Sequence, residues 1–303
     1  MHKDVHSPYI RTKVTTASIM QDVCVALVPA LVGAIIFFGI GSLLITLVSV
    51  ATCVAGEALW QFAHHQKITV KDFSAVVTGM LLAFNVPSTT PLWVIVLGAA
   101  FSILVVKQFF GGIGNNVINP ALMGRLFLML VYPTKIMSYA EPMDVDVITS
   151  ATMLASLKAT GKTGYSLWDA FVGKVPGSLG ETSALLLLIG FAYLVWKKEV
   201  NVAISGAFFA TICIISLCLG QNPFMQLFAG GVVLGGCYML TDYNLASGSG
   251  KWIYGIAAGM IVMAIRLWGT YPEGVCFALL IVNSMSGLID GLLKKGHIYG
   301  IED

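Results

Sequence analysis

Long uncharged apolar runs, interrupted by short polar or glycine-bearing stretches, make up most of the chain. Runs such as Cys24 to Phe38 and Leu92 to Val106 approach or exceed the length that crosses a hydrocarbon core of about 30 Å at ~1.5 Å per helical residue. Ten such segments are predicted, at 22–38, 40–62, 73–86, 92–110, 119–132, 182–196, 201–219, 225–240, 252–269 and 273–290. The pattern predicts an all-α fold, a polytopic integral membrane protein with about ten transmembrane helices. Three of the segments are short for a full crossing.

Composition supports lipid as the solvent. Of 303 residues, 57% are hydrophobic and 11% charged, and the mean hydropathy is +0.86, far from the balance of a soluble domain. The net charge of +2 is small and the basic residues are scattered, which excludes nucleic acid as a partner. The N-terminal residues before the first run lack a small-residue cleavage site behind a short apolar core, so no cleaved signal peptide is expected. All six cysteines lie inside apolar segments without ligand spacing, and His64 and His65 have no cysteine or acid at metal spacing, so no metal site is expected.

Basic residues predict the orientation, because positive charge is retained on the cytoplasmic side. With the N-terminus inside, the inner face holds eleven (Lys3, Arg11, Lys13, Lys67, Lys71, Lys107, Lys197, Lys198, Lys251, Lys294, Lys295) against four outside (Lys135, Lys158, Lys162, Lys174). Both termini are therefore expected in the cytoplasm. The chain divides into a cytoplasmic segment at 1–21, a first five-helix unit at 22–132, an exterior loop at 133–181, a second five-helix unit at 182–290 and a tail at 291–303.

The two units align. Ala75-Val76-Val77-Thr78-Gly79 matches Gly231-Val232-Val233-Leu234-Gly235, Trp93 matches Trp252, and Phe110-Gly111 matches Trp268-Gly269. Five crossings per unit turn the second upside down, the inverted-repeat plan of many transporters. The short third and eighth segments end in Asn85-Val86-Pro87 and Thr241-Asp242, helix-breaking or polar residues that predict discontinuous helices.

Several residues are candidates for chemistry. Gly111 to Pro120 is the densest polar cluster, and Asn116 and Asn119 would share one helix face, or simply cap the fifth span. Glu57 lies within span 2 and is read as an ion or proton site or as a paired structural carboxylate; Asp242 and Asp290 sit at inner helix ends, where an acid wants a cationic partner. Arg125 lies about 8–9 Å deep and is expected to snorkel. In the exterior loop, Asp146 precedes the hydroxyl run Thr149-Ser150-Ala151-Thr152, which by itself reads as turn and capping chemistry.

Taken together, Ser7-Pro8-Tyr9-Ile10-Arg11, Ile19-Met20-Gln21-Asp22-Val23, Ala26-Leu27-Val28-Pro29-Ala30, Asn119-Pro120-Ala121-Leu122-Met123-Gly124-Arg125, Thr149-Ser150-Ala151-Thr152 and Thr241-Asp242-Tyr243 carry a family resemblance over most of the chain. The sequence is similar to the D subunit of the Rnf ion-translocating ferredoxin:NAD oxidoreductase and to its relative, the B subunit of the sodium-pumping NADH:quinone oxidoreductase. The resemblance implies FMN bound through a phosphoester to Thr152, with Asp146, Thr149, Ser150 and Ala151 forming the attachment motif, and a noncovalent riboflavin near Asn116 and Asn119. Ser150 stands where the family often has glycine, and Met153 where it often has proline. Only about twenty residues precede the first span, which favours the Rnf relative.

The implied activity is that of a membrane flavoprotein subunit of a redox-driven Na⁺ or H⁺ translocase in a prokaryotic cytoplasmic membrane. Its partners would be the bilayer and other complex subunits, among them an exterior flavin-bearing one. No general acid or nucleophile is assigned. The alternative that the residues leave open is a cofactor-free channel or transporter for a small polar solute.

Overall fold

The computed structural model describes residues 15–112, 118–148, 152–160, 163–240, 251–271 and 273–286, with side chains described except at 144–148 and 251. Helix α1 (Thr16–Phe38) starts where the Thr15 hydroxyl accepts from the Ser18 N–H at 3.2 Å, and it ends at Gly39, whose φ of +79° reverses the chain into α2 (Ile40–Ala63). These two helices are long and apolar enough to cross a membrane by themselves. Their outer faces expose Val32, Ile36, Leu44 and Leu47, side chains that an aqueous surface would not favour as a continuous band.

After them come α3 (Ser74–Phe84), α4 (Leu92–Ala100, continuing in π-helical turns to Gln108) and α5 (Pro120–Val131). The connection at 132–183 contains α6 (Pro133–Ile136), an antiparallel hairpin of β1 (Ala140–Glu141) and β2 (Asp144–Ile148), α7 (Met153–Thr160) and α8 (Leu167–Val172). The second half holds α9 (Ala184–Trp196), α10 (Val202–Cys218), α11 (Pro223–Phe228), α12 (Val232–Leu234, continuing in π-helical turns to Met239), α13 (Lys251–Trp268) and α14 (Val275–Ser286).

Every predicted apolar segment thus contains helix, with one correction. The segment at 225–240 is split: α11 stops at Phe228, Gly230 takes φ +72°, and α12 begins afresh. The predicted break of the third segment is present, since α3 stops at Phe84 after eleven residues. At ~1.5 Å per residue α3 is only about 16 Å long. Irregular backbone beyond it is tolerable where protein encloses it, and nearly all residues of α3 and all those of the stretch 232–239 are buried.

One hydrogen bond recurs in the two halves. Ser49 Oγ on α2 donates to the Gly79 carbonyl at 2.8 Å, and Ser205 Oγ on α10 donates to the Gly236 carbonyl at 2.7 Å. The sequence alignment pairs Gly79 with Gly235, one residue earlier. The π-helical turns at Gly235–Met239 carry extra residues per turn, which fits the offset. The short helices meet by their C-terminal ends, where Asn85 Nδ2 lies 3.7 Å from Met239 Sδ.

Close helix approach depends on small residues. A methyl on Gly79 would come 2.6 Å from Val50 Cα, and one on Gly190 would come 1.8 Å from the Ala26 carbonyl oxygen, fixing α3 against α2 and α9 against α1.

Candidate functional site

At the start of α5, Asn119 caps the helix with its side-chain oxygen, 3.0 Å from Ala121 N and 3.3 Å from Leu122 N, and Pro120 occupies the first turn. The cap fixes the helix phase that turns Arg125 inward. The expected snorkelling does not occur: Arg125 is 3% exposed, because its guanidinium finds partners in the interior. Nη1 donates to Asn85 Oδ1 at 2.9 Å and to Glu181 Oε1 at 2.7 Å, and Nη2 donates to Glu273 Oε2 at 2.6 Å.

Glu273 Oε1 also accepts from the Gly231 N–H at 2.7 Å, at the start of α12. A methyl on Gly231 would lie 2.6 Å from Glu181 Oε1 and 2.7 Å from Glu273 Oε1, so the two carboxylates converge on one point beside the guanidinium. Glu181, placed by its position in the chain at the end of the exterior loop, is therefore an interior residue. The backbone just before it is held by α3, through Leu179 N to the Val86 carbonyl at 3.0 Å and Gly180 N to the Phe84 carbonyl at 2.9 Å.

This cluster forms part of the wall of a cavity of about 250 Å³, lined by Arg125, Tyr139, Thr152, Glu181, Glu273 and Cys276. Its other walls are soft and apolar, with Met129, Met137, Met153 and Phe277. Thr152 is half-buried at the N-terminus of α7: its Oγ1 accepts from Ala155 N at 3.2 Å and its carbonyl accepts from Ser156 N at 3.0 Å.

A phosphate on that oxygen would meet the first free N–H groups of an eight-residue helix, at the end favourable to an anion. Arg125 Nε, buried and without a hydrogen-bond partner, is a spare donor on the same cavity wall. A hydroxyl acceptor, an anion-favouring helix end, apolar walls and an orphaned cationic donor fit a flavin nucleotide.

Helix α7 is itself anchored. Lys158 Nζ donates to the carbonyls of Ile265, Gly269 and Tyr271 at the end of α13, where a cation suits the helix dipole. Farther along the connection, α8 carries a capping box in which Ser166 and Asp169 bond reciprocally. The hairpin is tied to α1 through Met143 N and the Phe37 carbonyl at 2.7 Å.

Glu57 sits elsewhere. It is 1% exposed and accepts from Lys107 Nζ at 3.0 Å, Gln108 Nε2 at 2.7 Å and Gln61 Nε2 at 3.3 Å. Lys107, expected among the basic residues of the inner face, is likewise buried, and it reaches Ser74 Oγ at 2.6 Å. Arg266 follows the same plan in the second half, reaching the Gln226 and Ala229 carbonyls beside α12. Asn116, Thr149, Ser150, Ala151, Asp242 and Asp290 lie outside the described residues; Asp146 lies in β2, with only its backbone described.

Sequence reasoning missed Glu273, Asn85 and Tyr139 as neighbours of Arg125. Asn85 is 40 and Glu273 is 148 positions from Arg125, too far for any local spacing rule. The one available signal was an acid at the entrance of a predicted span, at Glu273, which is expensive there unless paired.

Comparisons with known proteins find relatives along nearly the whole chain. Residues 4–299 match the model of the NQR2, RnfD, RnfE family. The chain is 46% identical to the D subunit of the Na⁺-translocating ferredoxin:NAD⁺ oxidoreductase complex of Acetobacterium woodii, over 97% of this chain and 94% of that one. It is 34% identical to the D subunit of the proton-translocating ferredoxin:NAD⁺ oxidoreductase complex of Clostridium ljungdahlii, over 94% and 92%. Against the D subunit of the ion-translocating oxidoreductase complex of Salmonella arizonae the identity is 30%, over 97% of both chains. With its whole helical body inside the match, the chain belongs to the NQR2, RnfD, RnfE family.

Proposed function

We propose that this chain is the D-type membrane subunit of an ion-translocating ferredoxin:NAD oxidoreductase complex, carrying FMN esterified to Thr152 and a riboflavin near Asn116 and Asn119. It works with the other membrane and peripheral subunits, including an exterior flavin-bearing one. The chain crosses the membrane ten times with both ends in the cytoplasm, so the connection 133–181 faces outward.

The observation that carries this reading is the placement of Thr152 on the wall of the Arg125 cavity, at the N-terminus of α7. FMN, once bound, supplies the electron-accepting and electron-donating chemistry that no side chain provides. The protein supplies position. Helix α7 presents the attachment oxygen, Lys158 holds α7 to the end of α13, and Met129 and Met153 give the cavity apolar walls. For the ion route we retain Asp242 and Asp290 at inner helix ends. The bonds of Glu57 to Lys107 and two glutamines support a structural role for it.

Mass spectrometry of the peptide containing Thr152, taken from the membrane complex, tests the reading through a mass increase equal to an FMN phosphoester. Thr152→Val is expected to abolish the flavin fluorescence of the denatured band. Fluorescence that persists in that variant sinks the assignment.

A further inference from the structure

The attachment oxygen places one end of the flavin, and the structure contains a second feature that speaks to the other end. Three hydrogen bonds, to Asn85, Glu181 and Glu273, use the two terminal nitrogens of Arg125, and Tyr139 lies beside the guanidinium. Its Nε is buried and unpartnered among the described residues, and the side chain borders the cavity that Thr152 also lines. A guanidinium nitrogen buried without an acceptor is costly if nothing ever bonds it.

The two acids answer why the charge itself is tolerated: a buried cation needs counter-charge, and Glu181 and Glu273 provide it. They do not answer why Nε is left over. The acceptor it lacks would have to come from whatever fills the cavity.

We propose that Arg125 is the ring-docking and potential-setting cation of this subunit: its Nε–H would donate to the carbonyl edge of the isoalloxazine tethered at Thr152, and the Glu273 carboxylate attenuates its charge. This rests on the FMN reading above. Arg125 holds that edge more tightly after the ring has gained two electrons and one proton, since that change leaves one added negative charge on the ring. A redox centre of a partner subunit supplies the two electrons and is oxidised, and solvent supplies the proton. A fixed cation at the site of developing negative charge stabilises it without reorganisation, most effectively where water is excluded. The Glu273 carboxylate acts in the opposite sense, so the two side chains set the potential together.

Redox titration of the Thr152-bound flavin in the purified whole complex tests this. Arg125→Gln is expected to lower the midpoint potential by at least the equivalent of a tenfold loss in preference for the reduced ring, about 30 mV for a two-electron couple. Glu273→Gln, which removes the carboxylate paired with Nη2 at 2.6 Å, is expected to raise it. The opposite signs are the signature, because a merely structural role would alter yield and thermal stability of both variants without moving the potential in opposite directions.

An unmoved potential in both variants, or shifts of the same sign, overturns the proposal. If Arg125→Gln does not assemble, Glu273→Gln decides alone, and a potential that fails to rise overturns it. Wild-type complex without flavin on Thr152 overturns the FMN reading and this inference together, whereas wild-type complex with the covalent flavin but insensitive potentials in the variants overturns only this one.

Discussion

Two buried ion clusters show how individual residues in this chain depend on distant partners. Lys107 and Glu57 are each about 1% exposed and pair at 3.0 Å. Removing one member leaves the other charged and unpaired in the interior, which costs about 3–5 kcal/mol. Thermal unfolding in detergent should therefore show a large loss for Lys107→Met, and the double change Lys107→Met with Glu57→Gln should recover much of it. Equal losses in the single and double variants would count against the pair.

Glu199, in the turn between α9 and α10, offers a pH test. Burial first, and then the hydrogen bond and charge of Asp22, push its carboxyl from 4.5 up to about 7. Its Oε2 is buried with no donor, so a proton of its own is what joins it to Asp22. The folded state binds that proton more tightly than the unfolded chain. Its stabilising contribution is fully present below pH 4.5 and is lost as pH rises through about 7. Unfolding followed across that window should lose this downward slope in Glu199→Gln.

Among elements, the contacts that count are backbone approaches permitted by glycine. Gly190 on α9 faces the Ala26 carbonyl, where an added methyl would sit at 1.8 Å, and it also faces the Tyr238 hydroxyl at 2.3 Å. That hydroxyl itself bridges the carbonyls of Ala26 and Leu187 at 3.2 and 2.9 Å. Gly190→Ala should force α1 and α9 apart and cost about 1–3 kcal/mol. Gly206→Ala, with nothing within 4 Å of the new methyl, is the matched control and should leave the melting temperature nearly unchanged. Comparable losses for the two would mean that the close approach at Gly190 does not set the effect, since helix propensity by itself favours alanine over glycine at both positions.

For the whole molecule, the orientation drawn from the basic residues places Lys158 outside and Lys197 inside. Single cysteines at these positions, in a cysteine-depleted background, should differ in intact cells. A membrane-impermeant maleimide is expected to label the one at 158 and spare the one at 197, and the reverse pattern would invert the topology. The repeat belongs to this scale too. Equivalent serine-to-glycine-carbonyl bonds in the two halves, and a cation from the helix after each short helix reaching back to its start, are features of one plan used twice.

The helical segments and the end of the third helix at Asn85-Val86-Pro87 were legible in the linear chain. Each rests on neighbours in sequence: apolar run length and a helix-breaking residue. The split of the eighth segment at Gly230 was missed, because an apolar run reads the same with or without one residue at positive φ. Only the tertiary structure decided that Arg125 stays inside, that Glu181 belongs to the interior and that Lys107 neutralises Glu57. Burial of a charge depends on counter-charges brought from tens to more than a hundred positions away, and no local pattern encodes which of them the packing brings together.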